Sequence, residues 1–351
     1  MADKFKFDVV IGNPPYQGDN HQQIYPDFYL LARTIGDNVC LIFPSSWQEP
    51  KSANNLGKLN KEEIKADQQI VQIDNRQNVF PNVPGAEWTN IIIWKRGFDN
   101  QLGGKQKVLT NGENPNIKSL YWDKNDIEKP KEIEQLANLV EASLDFNSLQ
   151  NSTSVLKPYG LRTDVFKEPS KYNLQPFFEK RQSKSDIVVW GGGAKNTQIR
   201  FIPSDYKLPR VTGAKEKYKV FVPYAWGNMS EKAGLGGAYS DIIIAKPNNI
   251  ATETFQESGC FENLDDAYKH AKYLLTKFTR ALLYFNKYSQ HSTTAWGAVP
   301  TQNYQEDWWD KSISEINELL MDKYNIPEEI RMFVAQNIQE KSEEHIIDKD
   351  Y

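Results

Sequence analysis

Residues 7–18 read FDVVIGNPPYQG, and the fold turns on them. Val9, Val10 and Ile11 are β-branched neighbours that favour a buried strand. Pro14 and Pro15 fix φ and remove two backbone donors, so the strand must stop at a rigid corner. Gly12 leaves room beside that corner, which presents Asn13 and Tyr16 at the strand's carboxyl end, where open α/β sheets place their ligands. Further along, IYPDFYLLARTIG (24–36) puts Phe28, Leu31, Ala32 and Ile35 on one helical face and stops at Gly36. NVCLIFP (38–44), QIVQID (69–74) and TNIIIWKR (89–96) read as further strands, with a weak helical segment over 58–67. Strands alternating with helical patterns predict an α/β domain over residues 1–100 with a mostly parallel sheet.

The character changes near residue 99. Gly-Gly and Asn-Gly punctuation predicts a linker entering a hairpin, and Ile133, Leu136, Val140 and Leu144 predict a helix over 129–145. Residues 101–150 therefore read as linker, hairpin and helix. Residues 151–351 read as a further domain, strand-rich to about 260 and helical afterwards. Its strongest helix is DDAYKHAKYLLTKFTRALLYF, with Ala271, Leu274, Leu275, Phe278 and Leu282 in one stripe. SISEINELLMDKY and PEEIRMFVAQNIQ follow, and the tail EKSEEHIIDKDY is expected to fray.

Composition narrows the classes. The 351 residues carry a formal charge of -4, so a nucleic-acid partner would need a local basic surface. The two cysteines, Cys40 and Cys260, have no metal-ligand spacing and are expected to be reduced and buried. His21, His270, His291 and His345 share no spacing, so no metal site is expected. The N-terminus lacks an apolar signal core, and no apolar run approaches a membrane span. A soluble, cytoplasmic protein without a membrane partner is the expectation.

Asn13-Pro14-Pro15-Tyr16 has a definite chemistry. The Asn13 carboxamide oxygen and the carbonyl beside it form a rigid pair of acceptors suited to an amino group. An exocyclic amine of a nucleobase is a poor nucleophile, because its lone pair delocalises into the ring. Acceptors on both its hydrogens favour a more tetrahedral nitrogen, with no titratable base required. Tyr16 adds a flat face for stacking.

The corner resembles the catalytic motif of amino-group S-adenosylmethionine methyltransferases, Asp/Asn/Ser-Pro-Pro-aromatic. The continuation, VCLIFPSSW (39–47), VFPNV and TNIIIWKR, is similar to adenine-N6 DNA methyltransferases of type II restriction–modification systems in the Eco57I-like branch. YLLTKFTRALL, GAVPTQNYQEDWWDKSISEINELLMDKY and IPEEIRMFV resemble that branch's target-recognition region. The resemblance implies an incomplete Rossmann-like methyltransferase sheet followed by an α+β target-recognition domain. It implies Asn13, Pro14, Pro15 and Tyr16 as catalytic residues, S-adenosylmethionine as cofactor and double-stranded DNA as partner, with adenine flipped out onto Tyr16.

One departure stands out. In that branch the glycine-rich cofactor loop and the acidic ribose-binding residue lie ahead of the motif, and here twelve residues precede Asn13. WGGGA (190–194) and GLGGA (234–238) open no helix with an acidic residue at the right distance and read as turns. A second polypeptide carrying the cofactor motifs is the partner this implies. Residues 195–219 hold Lys195, Arg200, Lys207, Arg210, Lys215, Lys217 and Lys219 among aromatics, a pattern suited to phosphates. A solvated β-surface reads equally well there. Gln290, His291 and Trp296 in SQHSTTAWGAVP are further candidate DNA contacts, and DWWDK (307–311) reads as packing with one Trp partly exposed. Two alternatives remain open: a non-catalytic DNA-specificity module or gene remnant, and a methyltransferase acting on protein glutamine or RNA. The roughly 250 residues after the sheet argue against the latter.

Overall fold

The computed structural model describes residues 6–18, 22–48, 56, 58–65, 67–77, 79–80, 88–118, 129–193, 196–224, 235, 241–287 and 295–350. They form two compact units, Met1–Glu128 and Lys129–Tyr351.

The first unit is built on a six-stranded sheet. Its strands are β1 (Phe7–Gly12), β2 (Gly36–Pro44), β3 (Ile70–Gln77), β4 (Trp88–Lys95), β5 (Gln106–Thr110) and β6 (Glu113–Lys118), in the order β1-β2-β4-β3-β5-β6. β1 and β2 are parallel, with Val10 opposite Val39 and Ile11 opposite Cys40, and the helix α1 (Tyr25–Ile35) makes the crossover between them. β4 runs antiparallel to both β2 and β3, so the sheet is mixed and not mostly parallel. The reason is the short link 78–87, too brief for the helical crossover that a parallel pair requires.

β5 pairs parallel with β3, and β6 turns back on β5. The turn is Asn111-Gly112, with φ of 51° and 80°, the left-handed pair that tight hairpins favour. A Cβ on Gly112 would lie 2.6 Å from the Arg76 guanidinium. The expected hairpin forms, and it extends the first sheet, so the first unit runs past residue 100 to Glu128.

α1 buries Tyr25, Tyr29 and Ala32 against Val39, Leu41 and Phe43. Tyr25 stacks on Phe43 with ring centroids 4.9 Å apart. The stripe expected to be buried behaves otherwise: Ala32 is covered, but Phe28 stays 38% and Leu31 53% exposed. They lie toward β1, the edge of the sheet, where no further described strand adds cover.

The second unit is α+β. One sheet has the order β12-β9-β10-β13, from β9 (Tyr218–Pro223), β10 (Ile242–Ala245), β12 (Phe255–Phe261) and β13 (Ile346–Ile347). A three-stranded sheet has the order β11-β7-β8, from β7 (Ile187–Gly193), β8 (Asn196–Ile202) and β11 (Asn249–Ala251). The helices are α2 (Lys131–Glu141), α3 (Leu264–Leu275), α4 (Lys277–Asn286), α5 (Ile313–Lys323) and α6 (Glu328–Asn337). Ala271, Leu274, Leu275, Phe278 and Leu282 are all fully buried in the main cluster, as their spacing predicts. The long helix breaks at Thr276, whose hydroxyl accepts from the Thr279 N–H and caps α4.

Four local expectations change. α2 ends at Glu141, leaving Leu144 fully exposed. Gly191–Gly193 lie inside β7 and pair with β8, so they are strand and not turn. The tail does not fray up to Asp350: Ile346–Ile347 pair with Ile242–Ile243, and Lys246 binds Asp348 and Asp350 at 3.1 and 2.6 Å. Cys260 is exposed and Cys40 half-buried. Among the described residues no helix is long and apolar enough to cross a membrane, and no cluster could hold a metal ion.

Candidate functional site

The carboxyl end of β1 delivers Asn13 into solvent beside half-buried Pro14. Both line a cleft of about 210 Å³ whose other walls are Val10, Gly12, Phe28, Leu31, Ala32, Ile35 and Leu41. The cleft is apolar except for the Asn13 carboxamide and backbone groups of the corner, so a planar ring could lie against it while its polar edge meets Asn13.

The segment after the corner is closed by backbone bonds. Ile24 N–H donates to the Tyr16 carbonyl at 3.1 Å and Gly18 N–H to the Gln22 carbonyl at 2.9 Å. Tyr16 therefore has a fixed position. Its ring meets buried Tyr25 edge-on, with centroids 6.5 Å apart. The Tyr16 hydroxyl is shut off from solvent and makes no hydrogen bond of ordinary geometry. Burial pushes its phenol above the ordinary range, and the Asn13 carboxamide beside it partly opposes that.

Because β1 and β2 are parallel, the loop after β2 opens at the same end of the sheet. Tyr25 joins the two loops through a 3.1 Å hydrogen bond between its hydroxyl and Ser46. Beneath them lies a buried polar layer: Trp47 donates to Asn90, and Gln48 exchanges hydrogen bonds with Asn75 at 2.8 and 3.3 Å. Sequence reading missed Tyr25, Ser46, Gln48, Asn75 and Asn90. The one signal for them was a set of polar residues in and just after strongly apolar strands, which are costly to bury unless they bond one another.

The candidate DNA contacts scatter. Lys207 and Arg210 are exposed on the second unit, and Lys215 is half-buried. Arg200 is occupied with the Ile199 carbonyl at 2.9 Å and Glu179 at 3.5 Å. Lys217 is paired with Glu262 at 2.6 Å. Two expectations are corrected. Lys219 is fully buried, its ammonium donating to the carbonyls of Lys215, Lys217 and Lys246, and burial lowers its pKa to about 8. Trp296 is fully buried too, with its indole N–H on Gln256 at 3.2 Å. Lys219 is the single cation of β9, a strand buried from Lys219 to Pro223, so its ammonium is met by backbone carbonyls in place of water. Lys195, Gln290 and His291 lie outside the described residues. Trp309 is buried and Trp308 half-exposed, as expected.

The described residues do not fit an adenosyl cofactor by themselves. The cleft beside Asn13 has no carboxylate in its walls to take a ribose. Gly191 packs on Phe166, and a Cβ on Gly192 would lie 2.7 Å from the Asn196 carbonyl. Those glycines serve close strand packing and open no helix.

Residues 1–80 match the family model described as Eco57I restriction-modification methylase. An uncharacterized adenine-specific methylase of Mycoplasma pneumoniae is 27% identical over 126 residues, which is 32% of this chain and 29% of that protein. The type IIL restriction-modification enzyme MmeI, solved in complex with DNA, superposes with a TM-score of 0.43 at 11% identity, covering 94% of this chain and 52% of that one. The type IIG restriction endonuclease BpuSI gives 0.30 at 11% identity, with 91% and 49% coverage. A type I methyltransferase subunit from Streptococcus thermophilus gives 0.25 at 16% identity, with 41% and 34% coverage. The chain thus spans under a third of the M. pneumoniae methylase and about half of MmeI and BpuSI.

Proposed function

We propose that this chain is the target-base and target-recognition portion of a site-specific DNA adenine-N6 methyltransferase of a restriction–modification system. The supporting observation is the Asn13–Tyr16 corner, exposed at the end of β1, within the 80 residues that match a restriction-modification methylase family. Asn13 Oδ1 and the Pro14 carbonyl accept hydrogen bonds from the adenine amino group and fix the direction of its lone pair. Pro15 holds the corner rigid. Tyr16 stacks on the extruded base, replacing part of the stacking lost from the duplex. The second unit binds the flanking double-stranded DNA, with Lys207 and Arg210 at phosphates.

S-adenosylmethionine, the methyl donor of such enzymes, is held outside the described residues, whose cleft does not supply its pocket, by further sequence or by a second polypeptide carrying the cofactor motifs. The test measures N6-methyladenine by mass spectrometry in DNA from cells that make the protein. Asn13→Ala should lower it at least a hundredfold while leaving duplex binding unchanged. Undiminished methyladenine in Asn13→Ala overturns the assignment, as does methyl transfer to protein glutamine or RNA in place of DNA. The missing cofactor pocket favours one second reading, a DNA-binding specificity module without catalysis. In that case wild-type cells show no methyladenine at the site the protein binds.

A further inference from the structure

The formal charge of -4 is spread unevenly along the chain. Residues 157–219 hold fourteen of the 42 Lys and Arg and six of the 46 Asp and Glu, whereas residues 301–351 hold five and thirteen. A polyanion is therefore drawn to the part of the second unit that carries β7 and β8, and repelled by the part that carries α5 and α6.

Within the cationic part, Phe178–Ser185 are eight consecutive exposed residues that include Lys180, Arg181 and Lys184. The two carboxylates nearest in sequence are engaged elsewhere. Glu179 faces Arg200 at 3.5 Å. Asp186 is 5% exposed, and one of its oxygens accepts from the backbone N–H groups of Gln182 and Ser183 at 2.7 and 2.9 Å. Among the described residues neither Lys180 nor Lys184 has an ion-pair partner.

The bonds to Asp186 give the turn a fixed shape, and its ends are anchored. Ahead of it, Phe178 exchanges two backbone hydrogen bonds of 2.9 Å with Phe201 in β8. Behind it, Ile187 opens the buried strand β7. Arg181 reaches the Asp186 carbonyl at 3.5 Å, and its guanidinium carbon lies 5.6 Å from the centre of the Phe201 ring. The segment leading into the turn also meets the loop of Lys207 and Arg210. The Tyr206 hydroxyl donates to the Gln175 carbonyl at 2.6 Å, and the Tyr206 and Phe177 rings are 5.6 Å apart. The cations of the turn are thus presented with little backbone entropy left to lose on binding. The Gln182 amide nitrogen is turned back onto the Lys180 carbonyl at 2.8 Å, away from the paired geometry that reads an adenine edge. Charge, and not base sequence, is what this turn is built to meet.

We infer that the turn Lys180–Ser185 is a preformed phosphate clamp for double-stranded DNA. Lys180, Arg181 and Lys184 neutralise backbone phosphates, and the exposed Ser183 and Ser185 hydroxyls donate to phosphate oxygens. Asp186 is a positioning residue, which holds the turn and touches no DNA. The inference rests on the reading that the second unit binds DNA, and it adds a contact separate from Lys207 and Arg210.

The test titrates the full chain into a labelled mixed-sequence duplex, and into an RNA hairpin, across a salt series. Lys180→Glu with Lys184→Glu should weaken duplex binding at least tenfold at low salt and lower the salt slope by about 2. Lys131→Glu, at an exposed position of α2, is the control for a charge change elsewhere and should leave both unchanged. Asp186→Ala separates a built turn from loose surface charge. Removing an anion tightens binding if charge alone acts, whereas loss of the acceptor for two turn amides should weaken it at least threefold. In case that variant misfolds, hydrogen exchange on wild type reads the same surface: the amides of Lys180–Ser185 should gain protection when the duplex binds. The clamp is overturned if the double lysine variant keeps wild-type affinity and slope, or if Asp186→Ala binds more tightly. It is equally overturned by preference for the RNA hairpin or by unchanged exchange. A wild type that binds no duplex removes the recognition reading and the clamp together. A duplex bound alike by wild type and the double lysine variant removes the clamp alone.

Discussion

At the scale of residues, the corner shows how far local chemistry reaches. In the proposed function Asn13, Pro14 and Pro15 act through carbonyl geometry that the chain fixes within four residues, so that role can be read without any fold. Tyr16 makes a sharper test. Its hydroxyl makes no hydrogen bond of ordinary geometry, so Tyr16→Phe should keep methylation within about threefold, whereas Tyr16→Ala should lose about tenfold or more with the stacking face. Steady-state methylation of duplex DNA with the completed enzyme checks both. His270 presents the opposite case, invisible in the sequence. Its ring is buried between Ser258 and Tyr304, at 2.9 and 2.6 Å, with Phe261 and Tyr273 alongside. Burial lowers its pKa from 6.5 to about 3. Between those values the unfolded chain binds more protons, so stability is complete above pH 6.5 and is lost as pH falls toward 3. The whole shift corresponds to roughly 5 kcal/mol. Urea midpoints at pH 7 and pH 4 should fall steeply in wild type and less in His270→Gln.

At the scale of elements, what could be read depended on how many sides an element buries. α4 is surrounded, so its apolar stripe and its core coincide. Leu282→Ala, at a fully buried position, should cost about 2–5 kcal/mol. Leu144→Ala, at a fully exposed one, should cost under about 0.5 kcal/mol. Chemical denaturation of the two variants separates the cases. α1 has two apolar faces, and its sequence carries no sign of which one a neighbour will cover. Tyr25 and Tyr29 took the core because β2 presents Val39, Leu41 and Phe43 to them. Strand direction departs from expectation for a simpler reason: the alternation of patterns suggests crossovers, and the short 78–87 link forbids one there.

Across the whole molecule, each of the two units has its own core, and the proposed function assigns the chemistry to the first and the recognition to the second. The basic stretch 195–219 suggested one cationic surface, and among its described residues the fold leaves Lys207 and Arg210 exposed, Arg210 with a hydrogen bond to the Lys157 carbonyl at 3.3 Å. Replacing both with Glu should weaken DNA binding alike for all sequences and reduce the salt slope by about 1 for each phosphate no longer neutralised. Fluorescence anisotropy across a salt series measures it, and an unchanged slope removes them from the interface. The sequence by itself determined the strand-and-corner unit, the family resemblance and the helical core of the second unit, because turn chemistry and helical period act over a few residues. Only the tertiary structure decided that Lys219 and Trp296 are interior, that the sheet is mixed, and that β1 is the end strand among the described ones. Those outcomes depend on which segments distant in the chain come to lie side by side, and no local pattern records that.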